Sequence, residues 1–173
     1  RLVLGPESVL PSDERVNVIR VNTANEMLAA CRERYGDADI AVLAAAVADY
    51  MPATIAKEKI KKETDRLTLD LVRTPDIAAT LGNIKRDGQL LIGFALETNN
   101  EEAHANEKMR NKQMDMIVLN NPRVEGAGFG HDTNKVTFLY PDNRKEEFGL
   151  KTKKEVAQDI VNAIFKLKQA YVK

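Results

Sequence analysis

The sequence predicts an α/β fold: a mainly parallel sheet flanked by helices, with an added antiparallel hairpin. Two short continuous apolar runs, Asp39 to Val47 (DIAVLAAAV) and Gln89 to Glu97 (QLLIGFALE), read as strands buried on both faces, the pattern of parallel sheets. Strand-like runs alternate with helical patterns along most of the chain, which favours β-α-β connections. Near the end, Lys135 to Tyr140 meets a Pro141-Asp142-Asn143 turn and a second short run, which reads as a hairpin. No internal repeat and no interdomain linker interrupts this order, so residues 1–173 read as one domain.

In order, Leu2 to Leu4 form a strand that stops at Gly5-Pro6, and Val16 to Val21 form a second. Thr23 with Glu26 three residues later predicts a capping box. The helix behind it presents Met27, Leu28, Ala30 and Cys31 on one face and ends near Gly36. The Asp39–Val47 strand follows, its alanines allowing something to approach the backbone closely. Asp49 to Lys62 is a polar loop with a basic end. Arg66 to Arg73 alternates, with Leu67, Leu69 and Leu71 on one side, as a half-exposed strand does. Thr74-Pro75 reads as an N-cap and first helical residue, with the helix running from about Pro75 to Lys85. After the Gln89–Glu97 strand come a charged helix over 99–113, a strand over 115–121, a Gly-rich loop over 122–134, and the hairpin, whose second strand is expected around 147–150. Thr152 with Glu155 caps a final helix whose apolar face is Val156, Ile160, Ile164 and Leu167.

Composition removes several function classes. Of 173 residues, 43% are apolar, enough for a core, and 26 basic residues balance 26 acidic ones, so there is no whole-protein basic field for nucleic acid. No apolar run approaches the ~18 residues that span a bilayer. The single cysteine, Cys31, excludes an intramolecular disulfide framework and a CxxC knuckle and points to a cytoplasmic setting. The chain opens on Arg1-Leu2-Val3-Leu4-Gly5-Pro6 rather than Met, inside a strand, and reads as a piece whose upstream sequence is not included.

Ligands of such sheets bind beyond the carboxyl ends of the strands. Three candidate sites fall there, each with a plainer alternative. Ala44-Ala45-Ala46-Val47-Ala48-Asp49-Tyr50 places small residues before a carboxylate, suiting a planar base with a ribose hydroxyl or a metal-bound phosphate; composition alone fits tight helix–sheet packing and a solvated Asp better. Lys57-Glu58-Lys59-Ile60-Lys61-Lys62 has the charge to neutralise a triphosphate, with Lys59 facing a developing phosphoryl anion; it also fits a solvated loop, tethered by Ile60. Thr74-Pro75-Asp76-Ile77 opens a helix and offers free N–H groups, or is an ordinary capped start. Phe94 stacks on a base or fills core. Lys108 and Lys112 share a helical face and bind phosphate or stay solvated. Gly126-Ala127-Gly128-Phe129-Gly130 lacks the following helix that a dinucleotide fingerprint needs, which argues against a dinucleotide-dependent oxidoreductase. His104 and His131 stand apart from any metal-ligand spacing, and Cys31 reads as core.

Taken together, AAVADY, KIKK beginning ten residues beyond Asp49, TPDI, GFALET and the Lys108/Lys112 pair occur in one order at close spacing. This set resembles the bacterial phosphopantothenate–cysteine ligases, the synthetase part of the bifunctional coenzyme A biosynthesis flavoprotein, over essentially the whole chain. The resemblance implies a Rossmann-like fold, a homodimer, and ligation of 4′-phosphopantothenate to L-cysteine. CTP and Mg²⁺ would drive it through an acyl-cytidylate, releasing pyrophosphate and then CMP. It further implies that Leu43, Ala44 and Ala45 lie at the cytosine-binding strand end and that Asp49 contacts the nucleotide. Lys59 would serve carboxylate activation, and Thr74, Pro75, Asp76 and Ile77 would enclose the nucleotide. Phe94, Lys108 and Lys112 are further CTP positions. The family's upstream Gly-rich strand–turn–helix segment, with an asparagine for the second half-reaction, is not in this sequence. Nor is a flavin-dependent decarboxylase half. The alternative expectation is a non-catalytic nucleotide-binding or dimerisation fragment.

Overall fold

The computed structural model describes residues 1–6, 9–56, 58–61, 65–96, 101–120 and 130–171. Its elements in chain order are β1 (Leu2–Leu4), β2 (Val18–Arg20), α1 (Ala24–Tyr35), β3 (Ile40–Leu43), β4 (Tyr50–Pro52), β5 (Leu71–Arg73), α2 (Ile77–Asn83), β6 (Leu90–Leu96), α3 (Glu101–Asn111), β7 (Met116–Asn120), β8 (Thr133–Asn134), β9 (Val136–Leu139), β10 (Lys145–Glu147), β11 (Lys151–Thr152) and α4 (Lys153–Tyr171). The chain divides into two units, Arg1–Glu33 with Ala45–Ile77, and Arg34–Ala44 with Ala78–Lys173.

In the first unit β1 and β2 pair in parallel, Leu2 opposite Val18. The Glu26 N–H donates to Thr23 Oγ1 at 3.1 Å, while the Glu26 carboxylate accepts from the Asn22 N–H at 2.7 Å. The expected capping box is therefore present, with its return bond one residue further upstream. Two departures concern residues 49–73. The start of the expected polar loop is strand β4, antiparallel to β5 with Met51 opposite Val72. The expected long strand over 66–73 shrinks to β5, and Leu67, Leu69 and Leu71 are all exposed, at 66%, 57% and 55%. Alternation marks which residues share a side of a strand, not whether anything covers that side.

The second unit holds a five-stranded sheet in the order β10-β9-β7-β6-β3. β3, β6 and β7 are parallel, with Leu43 opposite Gly93 and Phe94 opposite Val118. β9 and β10 add the antiparallel hairpin. Together these give the mainly parallel α/β sheet with an added hairpin that the sequence predicts. The hairpin's second strand is 145–147 rather than 147–150, because Asn143 takes a left-handed φ of 62° and closes the turn early. Residues 151–152, as β11, pair instead with β8.

The core follows the two-residue period of the strands. Leu90, Ile92, Met116, Val118, Val136 and Phe138 meet Val156, Ile160, Ala163 and Ile164 of α4, with Phe94, Phe148 and Leu167 packed alongside. The intervening residues Leu91, Ile117, Leu119 and Leu139 are equally buried, and α3 runs against β6, β7 and β9. α4 starts on the predicted capping box: the Thr152 Oγ1 accepts from the Glu155 N–H at 3.2 Å, and the Glu155 carboxylate accepts from the Thr152 N–H at 2.8 Å. The Asp39–Val47 run is a correction. Its strand is only β3, and Ile40 and Val42 are exposed rather than buried on both faces. β3 ends the five-stranded sheet, so β6 is its one neighbour there.

Below the sheet, Asp115 is buried and accepts from Lys85 Nζ at 2.9 and 3.0 Å and from the Leu91 N–H at 2.7 Å. Gln89, also buried, donates to the Tyr35 and Ala38 carbonyls and ties the end of α1 to the start of β6. No helix among the described residues is long and apolar enough to cross a membrane.

Candidate active site

In the first unit two motifs separated by some two dozen residues are fastened to each other. Thr74 Oγ1 donates to the Ala48 carbonyl at 2.5 Å, and the Thr74 N–H donates to the Asp49 carbonyl at 3.0 Å. The β4–β5 pairing continues this contact, with Tyr50 opposite Arg73. AAVADY and TPDI thus leave the ribbon side by side, Asp49 exposed and Thr74 half-buried. This revises the role expected for Thr74. Its hydroxyl bonds the neighbouring segment, α2 begins two residues later than predicted, and Asp76 takes the cap position before Ile77. Pro75 lies between the two, and Ile77 is buried.

Lys59 and Lys61 are exposed, which suits lysines that meet a polyanion. Ile60 is 54% exposed, so it does not tether the segment as expected. Lys57 and Lys62 lie outside the described residues, as do Gly126 to Phe129 of the glycine-rich motif.

In the second unit the carboxyl ends of β3, β6 and β7 share one edge. Leu43 is half-buried, Ala44 is exposed, and the Leu43–Gly93 register puts Phe94 one residue beyond Leu43. Phe94, two residues before the end of β6, is partly buried against the α4 cluster, as the core reading of this residue has it. A Cβ on Gly93 would meet Met114 Sδ at 2.6 Å, so the glycine admits that methionine. One feature of this edge was not singled out by sequence. The Asn120 side-chain oxygen is buried without a hydrogen-bond partner among the described residues, at the carboxyl end of β7. An asparagine closing an apolar run two residues before a proline is the signal that marks it.

Lys108 and Lys112 stand elsewhere. α3 runs back along the sheet, so its last turn lies near the amino ends of the strands, where the Asp115 N–H donates to the Leu91 carbonyl at 2.8 Å. Both lysines are half-buried, and helical side chains lean toward the helix N-terminus, here toward the carboxyl edge. The structure therefore joins Ala48–Asp49 to Thr74, and Leu43 to the neighbourhood of Phe94, while Lys108 and Lys112 can serve the same edge only through extended side chains.

Among the described residues no three His, Cys, Asp or Glu side chains group as a metal site. Magnesium commonly binds through one or two carboxylates plus substrate phosphates, and the exposed Asp49 is a donor of that kind. Burial pushes the Cys31 thiol up, away from the thiolate a nucleophile needs.

Comparison with known proteins adds to this geometry. A family model described as the DNA/pantothenate metabolism flavoprotein C-terminal domain matches residues 1–167. The chain is 39% identical to the coenzyme A biosynthesis bifunctional protein CoaBC of Vibrio vulnificus, covering 94% of this chain and 41% of that protein. It is 49% identical to a cysteine/cysteine sulfinic acid decarboxylase from an unknown prokaryote, covering 96% of this chain and 46% of that protein. It thus spans less than half the length of these curated relatives. The crystal structure of a CoaBC C-terminal domain superposes with a TM-score of 0.78 at 40% identity, covering 97% of this chain and 75% of that one. A Streptococcus pneumoniae DNA/pantothenate metabolism flavoprotein shares the fold at 21% identity, with a TM-score of 0.77, 98% of this chain and 80% of that one.

Proposed function

Because the chain belongs to the DNA/pantothenate metabolism flavoprotein C-terminal domain family, we propose that it is the synthetase part of a coenzyme A biosynthesis enzyme. In this reading it joins 4′-phosphopantothenate to L-cysteine at the expense of CTP, in the cytoplasm, as a homodimer and with a flavin-dependent decarboxylase fused upstream. The observation that carries the reading is the pairing of AAVADY with TPDI through Thr74, in a chain that matches a CoaBC C-terminal domain over almost its whole length.

The chemistry asks for what these segments offer. A carboxylate oxygen of 4′-phosphopantothenate attacks the α-phosphorus of CTP, and the bond to the β-phosphate oxygen breaks. Pyrophosphate departs with that electron pair. The cysteine amine then attacks the acyl carbon, CMP leaves, and the amine proton is lost to solvent. Attacking and leaving groups in the first step are both anionic, so cationic groups at the phosphates lower the barrier. Lys59, exposed in a lysine-rich segment, supplies that charge; Leu43, Ala44, Ala45 and Phe94 border the base; Asp49 and Thr74 to Ile77 enclose the sugar and phosphates. Lys108 and Lys112 extend to the phosphates from α3. Mg²⁺, bound with the nucleotide, neutralises phosphate charge. The homodimer is supported by the β4–β5 ribbon. A two-stranded ribbon alone is marginal in water, yet Tyr50, Leu71 and Val72 on it are exposed.

The test is pyrophosphate release with CTP, Mg²⁺ and 4′-phosphopantothenate, with and without cysteine, for this chain and for one extended upstream. Lys59→Ala is expected to abolish release while leaving the melting temperature unchanged. Unchanged turnover in Lys59→Ala removes Lys59 from the mechanism, and release by neither chain rejects the ligase. The second reading is a non-catalytic nucleotide-binding or dimerisation fragment. It requires CTP binding or self-association by this chain without pyrophosphate release.

A further inference from the structure

The last turns of α2 and α3 meet backbone to backbone. Gly82 is buried near the end of α2, and a Cβ there would lie 2.1 Å from the Lys112 carbonyl oxygen and 2.8 Å from its carbon. A backbone carbonyl cannot swing aside as a side-chain tip does. Glycine is also the poorest helix former after proline, so its place within α2 calls for a reason in packing.

That reason is the end of α3. The Gln113 N–H donates to the Arg110 carbonyl at 3.2 Å and the Met114 N–H to the Met109 carbonyl at 3.0 Å, with Gln113 at a left-handed φ of 50°. These are the paired bonds of a Schellman cap in which Lys112 is the cap residue. The α2 end then grips it twice more. Lys85 Nζ donates to the Gln113 carbonyl at 2.7 Å, and Gln113 Nε2 donates to Asn83 Oδ1 at 3.2 Å. The Lys112 N–H donates to the Lys108 carbonyl at 3.0 Å, so both lysines hang from this one cap.

We propose that Gly82 is a positioning residue: its bare Cα seats the Lys112 carbonyl and so fixes where Lys108 and Lys112 stand toward the nucleotide. This rests on the reading above, in which those lysines reach the phosphates. An added methyl must push the cap away, and both ammonium groups move with it. Misplacement by about 1 Å can cost on the order of 10²-fold in a positioned site.

The experiment is titration of CTP onto the full chain for the parent, Gly82→Ala, Lys108→Ala/Lys112→Ala and the triple variant, with KM for cysteine measured alongside. Gly82→Ala is expected to weaken CTP binding about tenfold and leave KM for cysteine unchanged. In the background lacking both lysines it should add nothing further, since the coupling is then complete. If Lys108→Ala/Lys112→Ala binds CTP as the parent does, the lysine assignment itself fails and takes the inference with it. If that pair weakens binding but Gly82→Ala does not, or if the two effects simply add, the positioning role is overturned while the lysine assignment stands. Should Gly82→Ala not fold, Lys85→Met/Asp115→Asn carries the same comparison. It frees the Gln113 carbonyl without leaving a buried charge, and the same outcomes decide.

Discussion

Replacing Lys85 with Met tests how the lower edge of the sheet is held. Lys85 Nζ lies 2.9 Å from an Asp115 oxygen, and the two side chains are 18% and 8% exposed. An exposed ion pair is worth roughly 0.2–1 kcal/mol, whereas removing one partner of a buried pair costs about 3–5 kcal/mol because it strands the other charge. Asp115 keeps the Leu91 N–H at 2.7 Å, which offsets part of the loss. The Gln113 carbonyl, however, loses its lysine donor. The expected cost is therefore about 3 kcal/mol, the low end of the buried range. At this chain length that is a fall of about 6–12 °C in melting temperature. Urea unfolding followed by circular dichroism gives the free energy directly from the midpoint and slope. Lys85→Met/Asp115→Asn should recover more than half of the loss, because no charge is then buried and the amide oxygen still accepts from Leu91. A loss under about 1 kcal/mol in the single variant, or a double variant less stable than the single, would refute the argument.

Further outcomes follow from the same structure. Burial, and then the charge of Asp115 or Glu146, pushes the Tyr35 and Tyr140 hydroxyls up to about 12. The unfolded chain releases these protons near pH ~10 and the folded chain does not. Stability should therefore be full below pH ~10 and decline from there to about pH 12; a urea midpoint that stays flat across that window contradicts it. Thr152→Ala removes the α4 cap and should cost about 1 kcal/mol, with Thr152→Ser restoring most of it, read as melting temperature.

Much of the fold was legible because local rules and tertiary packing agree. The two capping boxes, the buried β6 run and the Val156–Ile160–Ile164 face of α4 all stand where periodicity and cap chemistry put them. Two of the misreadings, both of strands, share one cause. The apolar run over 39–47 and the alternating run over 66–73 have the composition of covered strands, yet composition does not say whether a neighbour arrives. The candidate site divides the same way. Its residue types and their order were readable, since each carries its own chemistry. Which of them meet was not.

The sequence alone therefore determined the alternation of strands and helices, the capped starts of α1 and α4 and the set of chemically apt residues, because these depend on side chains within a few positions of each other. Only the tertiary structure decided that Thr74 bonds Ala48 and Asp49 rather than capping α2. It likewise decided that Gly82 seats the Lys112 carbonyl, and that β3 is exposed on one face. Each of these is a contact, or the lack of one, between segments distant along the chain, and the contacts made end on backbone atoms that all residue types share. No local pattern of side chains can encode it.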